Sequence, residues 1–345
     1  MATQETQLLD EVILNSRRKM LSIGAASLAG LTLGAFAPSA KAQTASYTDA
    51  DILNFALNLE YLEANFYYLA AFGTTIDKAN AASKAANAPL IALTGTVGTP
   101  GTVSGGSKVP FTTIQVASYA IETAVEEGKH VKLLLAALGA SAVAQPAIDL
   151  GSSFTTLAEA IGIGGQGNFS PYTSDSTFLI GAYIFEDVGV TAYHGAASLL
   201  TSPANLATAA GILSVEAYHA GLIRTTMNYM PAPEGNILAE YTRLISTLRA
   251  KLSLDGLLGV SGGPFDANPD DFGLQDFNVA IGGSTQPAAR ITNANSSIVV
   301  AFARNPTQVL NIVTAGGAVS GSTVVSPAKG LFFPNGVNAG PKGFK

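Results

Sequence analysis

Glu127-Gly128-Lys129-His130 and Glu216-Ala217-Tyr218-His219 carry two of the chain's three histidines, each three residues after a glutamate and midway along an apolar helical pattern. On a helix, positions i and i+3 share a face, so a carboxylate and an imidazole project side by side and can close on one cation or two neighbouring ones. Two such pairs, completed by one glutamate from each of two other helices, form a dinuclear carboxylate site in a four-helix bundle.

A repeat supplies the other two glutamates. Residues 59–71, LEYLEANFYYLAA, align without gaps on residues 185–197, FEDVGVTAYHGAA, placing Glu60 on Glu186, Tyr67 on Tyr193 and Ala70-Ala71 on Ala196-Ala197. The chain thus reads as four helices carrying Glu, Glu-x-x-His, Glu, Glu-x-x-His, a duplicated helix pair in which each half provides half the ligands.

The apolar pattern puts these groups in a core. Steps of three and four through Glu60 meet Leu53, Ala56, Leu57, Ala64, Tyr67 and Ala71, a helical stripe. Similar walks pass Val116, Ala120, Ala124, Val131, Leu134 and Leu138 around Glu127 and His130, and Leu179, Ala182, Tyr183, Val190 and Tyr193 around Glu186. Around Glu216 and His219 they pass Ile212, Leu213, Ala220 and Ile223. Burying an unpaired carboxylate costs several kcal/mol. Lys129 lies on the opposite face from Glu127 and Arg224 is off the Glu216 line, so salt bridges do not offset that cost. Two divalent cations would balance the four glutamates, with both histidines as neutral ligands.

A single Glu-x-x-His is more often a surface pair; two on apolar faces, in register with two further glutamates, point to metal. Glu63, one turn from Glu60, fits a ligand, a supporting acid or a rim carboxylate, and ranks lower because the repeat matches Glu60. Glu122 and Glu126 read as a solvated helix face. His194 is turned roughly eighty degrees from Glu186 and reads as a polar partner at the bundle edge. Tyr67 and Tyr193 read most simply as core tyrosines donating hydrogen bonds to ligand carboxylates, with a redox-active role ranking lower.

With Lys+Arg 18 against Asp+Glu 24, the 345-residue chain offers no basic field for nucleic acid. Cysteine is absent, which excludes thiolate zinc sites, iron–sulfur clusters and disulfides. Arg17-Arg18, an apolar run from Ile23 to Phe36 and Ala40-Lys41-Ala42 predict a twin-arginine signal peptide over residues 1–42, cleaved after Ala42. That predicts periplasmic or secreted protein, partnered in transit by the twin-arginine machinery, with no integral membrane segment in the mature chain.

The bundle domain is expected over 43–254. Its first helix begins near Asp49 or Asp51 and ends before Gly73; the second spans 112–138; the third 176–200; the fourth opens at Ser202-Pro203 and ends by Met230-Pro231. A fifth follows at about 235–253. The connections 74–110 and 145–175 are long, with 94–108 read as loop. Residues 255–345 form a Gly/Asn/Pro-rich extension with a β-like run 297–302, a short helix from Asn305-Pro306, and an aromatic tail, Leu331-Phe332-Phe333-Pro334, too apolar to hang in solvent.

The run Leu57-Asn58-Leu59-Glu60-Tyr61-Leu62-Glu63-Ala64-Asn65-Phe66-Tyr67, the two Glu-x-x-His helices, Ala303-Arg304-Asn305-Pro306-Thr307-Gln308-Val309-Leu310 and Phe332-Phe333-Pro334-Asn335-Gly336 together resemble the exported ferritin-like domain proteins related to desiccation-associated proteins. The resemblance covers most of the mature chain. It implies an all-α, ferritin-like four-helix bundle with a di-iron or di-manganese centre held by Glu60, Glu127, His130, Glu186, Glu216 and His219. Iron, manganese and zinc all suit carboxylate and imidazole ligands. The long insertions and tail depart from the compact subunits of an iron-storage shell, although a smaller homo-oligomer remains open. Two functions are expected: a centre reacting with peroxide or dioxygen in stress defence, or a non-catalytic protective or metal-binding protein whose metal is structural.

Overall fold

The computed structural model describes residues 47–95, 97–163, 169–255, 271–294, 299–315 and 329–338; the expected leader, 1–42, lies outside them. The helices are α1 (Asp49–Phe72), α2 (Ala81–Ala85), α3 (Ile114–Leu138), α4 (Ser152–Ala160), α5 (Asp175–Ala197), α6 (Pro203–Tyr229), α7 (Glu234–Asp255) and α8 (Pro306–Thr314). Four of them, α1, α3, α5 and α6, form the bundle. Its most extensive packing joins α1 to α3 and α5 to α6, and the two pairs meet along α1–α5 and α3–α6.

The repeat extends to the helix starts. Thr48 and Ser174, equivalent by the same offset as Glu60 and Glu186, cap α1 and α5 through reciprocal capping boxes with Asp51 and Thr177. Neither Asp49 nor Asp51 is the N-cap of α1, because Thr48 takes that place. Asp49 instead crosses to α6, accepting from the Thr201 and Ser202 N–H groups at 2.8 and 2.9 Å. Its counterpart Asp175 crosses to α3, accepting from the Thr112 and Thr113 N–H groups at 3.1 and 2.8 Å. The first helix of each half therefore caps the second helix of the other half, fixing the axial register of the four ligand-bearing segments.

All but three of the 24 residues of α1 are buried, so it is a central helix rather than a surface helix with one apolar stripe. The long connections and the C-terminal tail cover its outer side. Asn54 bonds the Ser141 carbonyl and the Val143 N–H at 2.8 and 2.9 Å, Asn58 bonds both backbone groups of Asn338, and Asn65 donates to Gln145 Oε1. Within this cover β1 (Val103–Gly105) pairs in parallel with β2 (Ile148–Leu150), a short strand inside the stretch expected to be loop.

The fifth helix, α7, packs against α5 and α6. Beyond it, β3 (Gln275–Ile281) and β4 (Ser284–Arg290) form an antiparallel hairpin. Gly282 and Gly283 turn it with positive φ of 59° and 81°, as a tight two-residue turn requires. Residues 297 and 298 of the expected β-like run lie outside the described residues, and Ala301 makes only an isolated bridge with Ala294. Asn305 caps α8 with Pro306 in its first turn. Phe332 and Phe333 are buried, with Phe332 edge-on to Phe154 and Phe185, so the aromatic tail closes over the bundle.

Candidate metal centre

Helices α1 and α5 each bring one glutamate to the bundle axis, and α3 and α6 each bring a glutamate and a histidine. Glu60, Glu127, His130 and Glu216 form one group and Glu127, Glu186 and His219 a second, each with ligand atoms mutually within 4.8 Å. Glu127 belongs to both. His130 Nδ1 lies 3.3, 3.4 and 3.5 Å from Glu60, Glu127 and Glu216. His219 Nδ1 lies 3.1 and 3.2 Å from Glu127 and Glu186.

The test of fit is hydrogen bonding. Buried polar atoms are nearly always bonded in native proteins, yet eight here have no hydrogen-bond partner: Glu60 Oε2, both oxygens of Glu127 and of Glu216, Glu186 Oε2, and Nδ1 of His130 and His219. All eight belong to the two groups above. Carboxylate oxygens and imidazole nitrogens at this spacing suit a pair of first-row divalent ions, and the residues therefore fit such a pair.

The remaining carboxylate oxygens are held crosswise. The Tyr67 hydroxyl donates to Glu186 and the Tyr193 hydroxyl to Glu60, so each half's tyrosine orients the other half's ligand.

Electrostatics without metal are strained by like charge. Burial pushes the Glu60 carboxyl up to about 7 against the pull of His130. Burial, with Glu127 and Glu63 next, drives Glu216 well above the usual range, and burial also raises Glu186. For Glu127 burial acts upward too, but the two histidines outweigh it and hold the group below its ordinary value. His130 is pushed up to about 12: Glu127 and Glu60 override the burial that opposes its charge.

Glu63 is buried outside both groups. It borders a cavity of about 20 Å³ lined also by Leu62, Phe185, Val188, Gly189 and Phe332, room for about one water. Burial, with Glu127 next, raises it well above the carboxylate range. His194 stays apart, its Nδ1 3.1 Å from the Phe302 carbonyl. Arg224 is buried but pairs with Asp187, not Glu216. By length and composition α6 could cross a membrane, yet Glu216, His219 and Arg224 turn inward from it, as in a bundle helix.

Two features escaped the sequence. Glu126 is half-buried, and its Oε2 lies 2.8 Å from His219 Nε2; the solvated-face reading is corrected, while Glu122 is exposed. The reason lies on another helix, so no local pattern signals it. Gly189, the repeat counterpart of Glu63, has a signal in a glycine deep inside a helix: a Cβ there would run into the Glu216 carboxylate, with Cδ 3.0 Å away. Gly189→Ala should displace Glu216, costing about 1–3 kcal/mol in denaturant unfolding as overpacked cores do and weakening metal binding. Unchanged unfolding and binding would remove that role.

Residues 48–229, spanning all four bundle helices, match the family model described as a ferritin-like domain. The chain is 29% identical over 296 residues to the desiccation-related protein PCC13-62 of Craterostigma plantagineum, covering 83% of this chain and 82% of the relative. It is 26% identical over 300 residues to the ferritin-like catalase Nec2 of Nesocodon mauritianus, with 84% and 83% covered. No solved structure matches.

Proposed function

The chain belongs to the ferritin-like domain family, and from that premise we propose that it is an exported oxidoreductase whose dinuclear iron or manganese centre reacts with peroxide or dioxygen. The observation that carries this is the set of eight buried, unbonded ligand atoms facing one another across four helices. The relative named as a ferritin-like catalase lends support to peroxide chemistry.

Glu60, Glu127, His130 and Glu216 would hold one ion, and Glu127, Glu186 and His219 the other. Bound iron or manganese supplies the change of oxidation state that peroxide or dioxygen reduction needs. Tyr67 and Tyr193 fix the orientation of Glu186 and Glu60, so the carboxylates keep their aim as charge changes. Glu63, whose carboxyl burial raises well above the usual range, borders a water-sized cavity and is placed to exchange a proton there. The twin arginines in the leader favour export after folding, which suits a centre assembled before transit.

The enclosure of the site favours one other reading. The ligand carboxylates are at most 1 % exposed, and a sealed ion pair would instead be structural, in a protective protein; the relative named as desiccation-related lends support to that reading. Peroxide consumption by protein loaded with iron or manganese separates the two. We expect turnover in the wild type and none in Glu127→Ala. Wild-type protein carrying two ions per chain yet inert to both peroxide and dioxygen would leave only the structural reading.

A further inference from the structure

The two halves of the centre are not equivalent, and one of the differences lies in Glu126. By the correspondence that puts Glu127 on Glu216 and His130 on His219, Glu126 matches Val215. The Glu126 carboxylate reaches from α3 to α6 and meets His219 Nε2 at 2.8 Å, with the Glu126 side chain 37% exposed and that of His219 5% exposed. The other nitrogen of that ring, Nδ1, faces Glu127 and Glu186. His130 also turns Nδ1 inward, but among the described residues no hydrogen bond holds its Nε2. Valine at the matching position has no acceptor to offer.

A neutral imidazole has one N–H and one lone pair. A carboxylate accepting at Nε2 keeps the proton there, leaves the Nδ1 lone pair free to bind metal, stops the ring from turning and raises its basicity. We propose that Glu126 is a positioning residue that holds His219 in its metal-binding tautomer, making the half-site of Glu186 and His219 bind its ion more tightly than the half-site of Glu60 and His130. The centre then fills in order, the His219 side first. This inference rests on the metal-binding reading above.

Cobalt(II) titration against a chromophoric chelator tests it. Wild-type protein should take up two ions in two steps. Glu126→Leu should weaken the tighter step by about 10- to 100-fold, the usual effect of losing such an outer partner, and leave the weaker step in place. Glu126→Gln, which keeps a carbonyl acceptor, should recover part of the loss. A merely structural role would not move a proton signal: with only three histidines in the chain, ¹⁵N-histidine labelling of zinc-loaded protein should give a solvent-protected His219 Nε2–H that disappears in Glu126→Leu. Folded Glu126→Leu with both steps unchanged, or with both weakened equally, overturns the inference while leaving the metal centre intact. Wild-type protein that binds no ion overturns the metal reading itself.

Discussion

Removing metal from loaded protein should lower its melting temperature by many degrees, whereas Glu216→Gln in metal-free protein should raise it. Glu60, Glu63, Glu127, Glu186 and Glu216 are all buried within one site that, among the described residues, offers only two histidines as protein cations. In the metal-free state burial and Glu127 drive the Glu216 carboxyl well upward, so folding works against its tendency to ionise, and Gln removes that cost. With free metal at about 1,000 times Kd, each bound ion adds about 4 kcal/mol, and Glu216→Gln forfeits part of that. One substitution thus moves the two states in opposite directions, which a plain packing defect would not do.

The pH dependence should split in the same way. Glu60 titrates at about 7 in the fold against an ordinary 4.5, so the folded state holds the extra proton. Its contribution is present below about 4.5 and fades as pH rises through about 7. His130 acts with the same sign, its contribution present below 6.5 and lost toward about 12. Glu127 and, beside His219, Glu126 run the other way, their contributions being lost as pH falls below the ordinary value of 4.5. Metal-free protein should therefore lose stability between pH 5 and 8. Loaded protein should gain over that range, because binding displaces protons from carboxylates and imidazoles. Unfolding curves of both forms at the two pH values check this, and parallel slopes would rule out the ions as the compensating charge.

What the chain discloses of this centre is what lies within one helical turn or one repeat. Glu127 with His130 and Glu216 with His219 are visible by spacing, and Glu60 and Glu186 by the repeat. The crosswise caps Asp49 and Asp175 obey the same offset but were hidden, because their bonds go to the opposite half. Long-range partners leave no periodic trace. Glu126 looked solvated because Glu122 stands one turn before it. Asp187 sits beside Glu186 in sequence, yet its partners Arg224 and Arg249 lie on α6 and α7. The β3–β4 hairpin was masked by the composition of its surroundings, although Gly282-Gly283 is a turn signal once flanking strands are suspected.

In metal-free protein the largest loss of stability from one substitution is expected outside the ligand set, in Asp271→Ala. Asp271 forms an ion pair with Arg249, whose Nε lies 2.7 Å away, and accepts from Arg249 Nη2, Arg304 Nη2 and Asn293 Nδ2, each at 3.1 Å. Asp187 pairs with Arg224 and Arg249, both at 2.8 Å. Arg224 also donates to the Phe272 and Gly273 carbonyls at 3.0 and 3.2 Å, and Tyr183 faces both Arg224 and Arg249. Three guanidiniums and two carboxylates thus join α5, α6 and α7 to the segments on either side of the β3–β4 hairpin, all of them buried. Burial alone would raise the Asp271 carboxyl, but Arg249 and Arg304 outweigh it and hold the group ionised. Removing Asp271 leaves three buried cations facing one carboxylate, and breaking a buried pair from one side costs about 3–5 kcal/mol. That is a large share of the roughly 5–15 kcal/mol that holds a domain folded. Arg249→Met together with Asp271→Ala should cost less than the sum of the two single changes, because each relieves the charge the other strands. Denaturant unfolding of the three variants measures this. An Asp271→Ala cost under about 1 kcal/mol, typical of an exposed pair, would mean that the network is hydrated and does not bind the extension to the bundle.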